Sequence, residues 1–273
     1  MIEKMSDTCL IKNIHIFQEY LSQPKTLVVA VSGGVDSTSL VLLLQRLSNV
    51  KNKPVWVHAK TPAVPKKHTD QLKAIAHDAG ADLKIITPSE FQDERYLENT
   101  IDRCFYCKSN LFEEIRRNFP DAIILTGANR DDLDDFRPGL KAAADFKVRH
   151  PFIEAGYGKN EIRMLARILG LSALALAPSS PCLSSRIFTG TRISSVMLGK
   201  IEEVEEMLTT SIGVGNHRCR YGIGKVVLEI DPVKRNLIND EFRDELKNSV
   251  GELFGLTPLD ISVDTYQRGN GYV

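Results

Sequence analysis

Apolar residues in this chain fall into short continuous runs, separated by stretches where they recur every three or four positions. Leu27-Val28-Val29-Ala30-Val31 is one such run, the pattern of a strand buried on both faces. Val55-Trp56-Val57-His58-Ala59 is a second, and residues 83–87 and 122–126 give two more. Between the strands, residues 40–47 read as a helix, and Leu72, Ile75, Ala76 and Ala79 lie on one helical face that Gly80 closes. Ile162, Leu165, Ala166 and Leu169 mark another helix, closed by Gly170. Strands alternating with helices of this length predict βαβ units and a parallel sheet, the α/β class.

The pattern changes after about residue 185. Ile201, Val204 and Leu208 share a helical face. Strand candidates at residues 217–222 and 225–230 are separated by Ile223-Gly224, a hairpin spacing. A charged helix at residues 240–254 and a strand at 261–263 complete a smaller α+β domain. The expected division is therefore 1–185 and 186–273.

Composition narrows the class. The 273 residues carry 35 Lys+Arg and 35 Asp+Glu, a formal net charge of zero, with 42% hydrophobic residues, which argues against disorder. No apolar run approaches the ~18 residues of a membrane span. Asp7, Lys12, Asn13 and His15 interrupt the first apolar residues, so a signal-peptide core is not expected and the cytoplasm is the expected location. A neutral chain is a poor candidate for gripping nucleic acid, which needs clustered Lys and Arg. The five cysteines are Cys9, Cys104, Cys107, Cys182 and Cys219. An odd number in a cytoplasmic chain argues against a disulfide framework and leaves thiols for metals or chemistry.

Ser32-Gly33-Gly34-Val35-Asp36-Ser37 follows a buried strand and opens a helix. Its glycines permit a tight turn and close approach of a ligand. Loop and helix N–H groups then converge on one anion, and Ser32 and Ser37 add hydroxyls. Asp36 disfavours bare phosphate, so Mg²⁺ with a pyrophosphate is the better fit. Neither a Walker A loop nor a Gly-x-Gly-x-x-Gly fingerprint is present at this turn.

Arg103-Cys104-Phe105-Tyr106-Cys107-Lys108 contains a C-x-x-C, and Cys182 follows in Pro181-Cys182-Leu183-Ser184-Ser185-Arg186. From spacing alone three readings stand. Three thiolates can hold a [4Fe-4S] cluster with one open iron. A zinc site would need a fourth ligand. Separate structural cysteines are the plainest. Arg103, Lys108 and Arg186 would favour thiolates by their charge.

The glycine loop resembles that of the PP-loop, or N-type ATP pyrophosphatase, superfamily (adenine nucleotide alpha hydrolase-like). Thr126-Gly127-Ala128-Asn129-Arg130-Asp131-Asp132 is similar to its second nucleotide motif. That resemblance implies a doubly wound sheet with ATP across its carboxyl ends. The site would be Ser32, Gly33, Gly34, Asp36 and Ser37 together with Gly127, Asn129 and Asp132. Asp135-Phe136-Arg137-Pro138-Gly139-Leu140, the Pro181 to Arg186 stretch, and Lys60-Thr61-Pro62-Ala63-Val64-Pro65 resemble the LarE family of ATP-dependent sacrificial sulfur transferases. Members insert sulfur into a pyridinium dicarboxylate mononucleotide, a step toward the nickel-pincer nucleotide cofactor. A carboxylate is adenylated, and sulfur, a strong nucleophile near neutral pH, displaces AMP. One version of the family sacrifices a single cysteine. The other holds a [4Fe-4S] cluster on three cysteines, and Cys104, Cys107 and Cys182 resemble that version.

The same resemblance implies roles for Arg218 and Arg220 as a phosphate-binding Arg-x-Arg pair. Two residues apart on a strand, they share a face, and guanidinium forks suit phosphate or carboxylate. Cys219 would point the other way, into the core. Arg186 would meet substrate beside Cys182, and Arg137 would contact phosphate or brace the nucleotide loop. A sulfur donor and a homo-oligomeric state are further implied. Departures fall in the acceptor half: Ile187-Phe188-Thr189-Gly190, Tyr221-Gly222-Ile223-Gly224 and the ending Tyr266-Gln267-Arg268-Gly269-Asn270-Gly271 differ from the family pattern. Two rivals remain: a tRNA thiolase of the same superfamily, which predicts a basic RNA-binding face, and a non-catalytic nucleotide-binding or redox-sensing module. His58, His77 and His217 lack partners at metal-ligand spacing. Trp56 reads as packing, Cys9 as structural, and Glu202-Glu203-Val204-Glu205-Glu206 as the wet face of a helix.

Overall fold

Four short strands, β1 (Leu27–Ala30), β2 (Val55–Ala59), β3 (Leu83–Ile86) and β4 (Ile123–Thr126), pair in parallel in the order β3-β2-β1-β4. The register sets Val28 opposite Val55 on one side and opposite Ile124 on the other. The structure is a computed structural model that describes residues 11–49, 52–133, 138–178 and 180–267. The chain divides into two compact units, Met1–Glu90 with Cys104–Ala177, and Phe91–Arg103 with Pro178–Val273.

In the first unit, successive strand residues face opposite sides of the sheet. Leu27, Val29 and Val31 pack with α1 (Ile14–Ser22), α2 (Val35–Leu47), Leu72 and Ala76 of α3 (Lys66–Asp78), and Ile162, Leu165 and Ala166 of a later helix. Val28 faces the other way, toward Leu111, Phe112 and Ile115 of α4 (Arg103–Asn118) and Ala142 and Ala143 of the short helix Pro138–Asp145. The later helix is α5 (Lys159–Ile168). Helices thus cover both faces, as in a doubly wound α/β fold. The chain builds β1, β2 and β3 in one direction and then places β4 on the far side of β1, so the topology switches between β1 and β4. Open sheets of this kind bind ligands outside the carboxyl ends at that point.

The second unit holds α6 (Ser195–Ile212), capped by the Ser194 hydroxyl accepting from the Met197 N–H at 3.2 Å. Its sheet runs β5 (Arg218–Gly222), β6 (Lys225–Ile230) and β7 (Ile261–Thr265), the first pair antiparallel and the second parallel. The fully buried Leu198, Ile201, Val204 and Leu208 give α6 its inner face, and α6 packs on β5. The last helix, α7 (Asp240–Phe254), packs on β7. The expected hairpin turns at Ile223 (φ 54) and Gly224 (φ 69), both left-handed as a type I′ turn requires.

A segment ahead of α4 also belongs to this second unit. The buried Asn99 amide donates to the carbonyls of Phe188 (2.9 Å) and Thr191 (3.0 Å). Arg103 Nη1 donates to Asn99 Oδ1 (2.6 Å) and the Ser184 carbonyl (2.9 Å), and the Tyr96 hydroxyl lies 2.6 Å from Ser184 Oγ. These polar contacts have no hydrophobic periodicity, so nothing in the chain pattern announces them. No described helix is long and apolar enough to cross a membrane.

Candidate functional site

The loop after β1 and the loop after β4 meet at the topological switch. Gly33 adopts φ +85, and a Cβ there would stand 3.1 Å from both Cβ and the carbonyl oxygen of His68, so conformation and space both require glycine. The Ser32 N–H donates to Ser37 Oγ at 3.1 Å, and the two hydroxyls are 3.1 Å apart, which ties the loop to the first turn of α2. Gly127 ends β4 against that same turn. A Cβ at Gly127 would lie 2.5 Å from the Ser37 nitrogen and 2.8 Å from the Asp36 carbonyl carbon, so only glycine lets the two loops approach. The first N–H groups of any helix lack intrahelical acceptors, and here they sit at the switch point.

Acidic groups line this crevice. Lys159 Nζ reaches Asp36 Oδ1 at 2.7 Å and Oδ2 at 2.5 Å. Burial raises the Asp36 carboxyl above its usual range, against the pull of Lys159, and the charge of Asp132 adds to the rise. Asn129 is buried. Its N–H donates to Asp132 Oδ2 at 3.0 Å, and its Oδ1 accepts from the Asp131 N–H at 3.1 Å. Thr126 Oγ1 lies 2.7 Å from His150 Nδ1, and burial lowers the His150 pKa. The predicted Ser32, Gly33, Gly34, Asp36, Ser37, Gly127, Asn129 and Asp132 all belong to this one crevice region. Lys159 was not among the sequence candidates. The Glu161 carboxylate accepts from the Gly158 N–H at 3.1 Å and so marks a helix start, but no chain pattern pairs Lys159 with Asp36.

The cysteines divide between the units. Cys104 and Cys107 are three residues apart at the start of α4, on one side of the helix, and both are half-buried. On the same stretch, Cγ of Lys108 lies 3.1 Å from where a Gly139 Cβ would be. Nearby Glu90 is buried, and burial raises its carboxyl, opposed by hydrogen bonds, including one from the Thr61 side chain, and by Lys108. Thr61 lies in the loop after β2 that the sequence resemblance singled out. Cys182, in the second unit, is the half-buried residue ahead of the 3₁₀ turn Leu183–Arg186. Its carbonyl accepts from the Ser185 N–H (3.0 Å), the Ser185 hydroxyl (2.8 Å) and Arg186 Nη1 (3.2 Å). Among the described residues no group of three or more His, Cys, Asp or Glu stands close enough to hold a metal.

The second unit gathers the three arginines. Arg186, 1% exposed, makes a two-pronged ion pair with Glu205 at 2.8 and 2.9 Å. Burial opposes its charge most strongly, but the charge and hydrogen bond of Glu205, with Cys182 and Tyr266, hold the Arg186 pKa above its ordinary value. Arg220 pairs with the buried Glu229 at 2.9 Å and donates to the Ser185 carbonyl at 3.1 Å. Arg218 donates to the His217 carbonyl at 2.6 Å, and its guanidinium carbon lies 5.3 Å from the centre of the Tyr266 ring. Burial and then the charges of Arg186 and Arg220 lower the Arg218 pKa. These are not solvated strand residues. Glu205, expected on a wet helix face, instead accepts from Arg186 and from the Cys219 N–H. Cys219 is in the core, where burial pushes its thiol well up.

His58 is a core group: Nδ1 lies 2.7 Å from the Val31 carbonyl and Nε2 2.9 Å from Thr69 Oγ1. The Val31 carbonyl accepts from Nδ1, and burial lowers the His58 pKa. His77 is exposed beside Asp78, and His217 is buried with Nε2 2.9 Å from the Gly213 carbonyl. Arg137, Cys9 and residues 268–271 lie outside the described residues.

The chain matches no family model. It is 28% identical over 246 residues to an uncharacterised protein of Methanocaldococcus jannaschii, covering 89% of this chain and 91% of the relative. It is 27% identical over 259 residues to an uncharacterised protein of Synechocystis, covering 92% and 94%. It is 29% identical over 204 residues to the pyridinium-3,5-bisthiocarboxylic acid mononucleotide synthase of Lactiplantibacillus plantarum, covering 74% of this chain and 73% of the synthase.

Proposed function

We propose that this protein is a LarE-like, ATP-dependent sulfur transferase that converts an acceptor carboxylate to a thiocarboxylate. The observation that carries the reading is the meeting of the two glycine loops with Asp36 at the β1/β4 switch. Similarity to a synthase whose name specifies a bisthiocarboxylic acid mononucleotide supports the product class. The acceptor is accordingly an acidic pyridinium dicarboxylate mononucleotide or a close analogue, and the product feeds nickel-pincer nucleotide synthesis.

The chemistry follows from what each group does. Backbone N–H groups of residues 32–37 and the first turn of α2 receive the phosphates of ATP. Asp36 and Asp132 would hold Mg²⁺, an oxygen-seeking cation that would offset the phosphate charge. A carboxylate oxygen of the acceptor attacks the α-phosphorus. The bond from that phosphorus to its bridging oxygen breaks, and pyrophosphate leaves with the electron pair. A sulfur nucleophile then attacks the acyl carbon, and AMP departs with one former carboxylate oxygen.

Cys104, Cys107 and Cys182 fit a cluster by donor type: three thiols, each half-buried rather than sealed in the core. A [4Fe-4S] cluster on them would supply the sulfur, and a separate donor would restore it. Arg186, Arg218 and Arg220 hold the acidic acceptor through their guanidinium groups, and Arg137 contacts phosphate or braces the nucleotide loop. The working form is a homo-oligomer in the cytoplasm.

Anaerobic reconstitution with iron and sulfide tests the sulfur source. Roughly four irons per chain with broad visible absorption, lost in Cys104→Ala, Cys107→Ala and Cys182→Ala alike, is the expected result. A colourless protein holding one zinc would reject the cluster while leaving the adenylation chemistry intact.

A further inference from the structure

The turn that carries Cys182 is held by side chains along its whole length. The carbonyls of Pro181, Cys182, Ser184, Ser185, Ile187 and Phe188 each accept a hydrogen bond from a side chain. Arg186 and Arg220 supply part of this grip. The rest comes from residues 91–103, the segment that joins the second unit from far up the chain. We infer that Asn99 and Arg103 are positioning residues for the Cys182 thiol: they lock the backbone on which that sulfur stands during sulfur transfer. This inference rests on the sulfur-transfer reading above and deepens it.

Asn99 is fully buried and sits at φ 54, a left-handed backbone uncommon for any residue but glycine. Every polar group of its side chain is engaged. The amide reaches the carbonyls of Phe188, Thr191 and, at 3.3 Å, Ile187, while Oδ1 accepts from Arg103. Its own backbone carbonyl accepts from the Gly190 N–H at 2.9 Å. One residue thus pins the stretch 187–191, directly after the turn. Strained backbone of this kind persists where surrounding contacts hold it, and it gathers at working sites.

Arg103 is buried as well. The chain pattern suggests a cation that favours thiolates by its charge. Instead its Nη1 serves Asn99 Oδ1 and the Ser184 carbonyl, two residues beyond Cys182. Withdrawing a guanidinium from water is costly, and here it fixes main chain. The Tyr96 hydroxyl, 2.6 Å from Ser184 Oγ, holds the same residue from its side chain. Leu183, Ser184 and Arg186 are buried while Cys182 is only half-buried, so the turn is anchored beneath an accessible sulfur. A reacting atom displaced by about 1 Å can lose two orders of magnitude in rate.

Two readouts test this, with Asn99→Gly and Arg103→Met as variants. Glycine accepts the left-handed backbone, so Asn99→Gly removes the amide without adding strain. Leu198→Ala is the control, because it removes buried apolar surface from α6 in the same unit. Circular dichroism checks that each variant is folded. Iodoacetamide labelling of the full chain, before iron and sulfide are added, is followed at the Cys182 peptide by mass spectrometry. Both variants should label at least about fivefold faster than the wild type, and Leu198→Ala within about twofold of it. The chains are then loaded with iron and sulfide and given MgATP and the dicarboxylate mononucleotide. Both variants should form thiocarboxylate at least about tenfold more slowly, while first-turnover release of pyrophosphate stays within about twofold. Labelling no faster than in Leu198→Ala, or equal losses of pyrophosphate and thiocarboxylate, would overturn the assignment and leave Asn99 and Arg103 as structural residues. A wild-type chain that forms no thiocarboxylate at all would instead reject the sulfur-transfer reading, and this inference with it.

Discussion

The crevice at the β1/β4 switch and the arginine cluster of the second unit are both charged sites, yet they are built oppositely. The crevice is made of backbone: two glycines fix its shape, and its main ion pair, Lys159–Asp36, is partly exposed. The cluster is made of long side chains already withdrawn from water, with Arg186 and Glu205 1% and 17% exposed and Arg220 and Glu229 8% and 3%. Desolvation of charge is costly, and in the cluster most of that cost is met on folding rather than on binding. The first region keeps its charged pair partly in water. The second is suited to holding fixed positive charge at one place.

The sharpest way to break this contrast is to strip the cluster of a counter-ion. Glu205→Ala leaves the Arg186 guanidinium buried without its two-pronged partner. Removing one member of a buried pair costs about 3–5 kcal/mol. Urea unfolding should show that loss in the second unit. The double variant Arg186→Met/Glu205→Leu should cost much less than Glu205→Ala alone, and an equal cost would contradict the account. The corresponding change in the crevice should act on ligand as well as on folding. Gly127→Ala forces the β4 loop away from Ser37 and should weaken ATP binding about tenfold or more, with a stability loss of about 1–3 kcal/mol.

Acid sensitivity separates the regions further. Burial lowers the pKa of His58 and His150, both in the first unit, below the ordinary 6.5. Each ring therefore resists protonation in the folded state, and its contribution is complete above pH 6.5. It is lost as pH falls, because the unfolded ring takes up a proton that the folded one resists. Stability should fall as pH drops from about 6.5 toward 5, and His58→Gln should flatten that part of the curve. A profile unchanged by the substitution would show that another group is responsible.

The smallest effect concerns the turn of the second unit. Ile223 is β-branched, 86% exposed and held at φ 54, so Ile223→Asn should stabilise by about 1 kcal/mol. ATP affinity should not change. If it does, the two regions are more tightly linked than their separate constructions imply.

The same contrast explains what the chain pattern reveals. Strands β1, β2, β3 and β4 are short apolar runs, and their helices carry a clear apolar stripe, so hydrophobic burial writes the fold locally. The crevice is legible because glycines and a strand-to-helix junction are local too. The partners of the arginines are not: Glu205 sits in an acidic run that reads as a wet surface, and its role depends on Arg186 being 19 residues away on another element. Lys159 is hidden for the same reason, since it lies 123 residues from Asp36. The excursion of residues 91–103 into the second unit is fixed by polar contacts of Asn99 and Arg103 that leave no periodic trace.

The central claim is that an acceptor carboxylate is activated as an adenylate in the β1/β4 crevice. Oxygen labelling tests it most directly. The protein, loaded anaerobically with iron and sulfide, would be given MgATP and the dicarboxylate mononucleotide carrying ¹⁸O in its carboxylates. The account predicts pyrophosphate and AMP as products, with one labelled oxygen in the AMP for each thiocarboxylate formed. Release of ADP and phosphate, or thiocarboxylate formed beside unlabelled AMP, would contradict it.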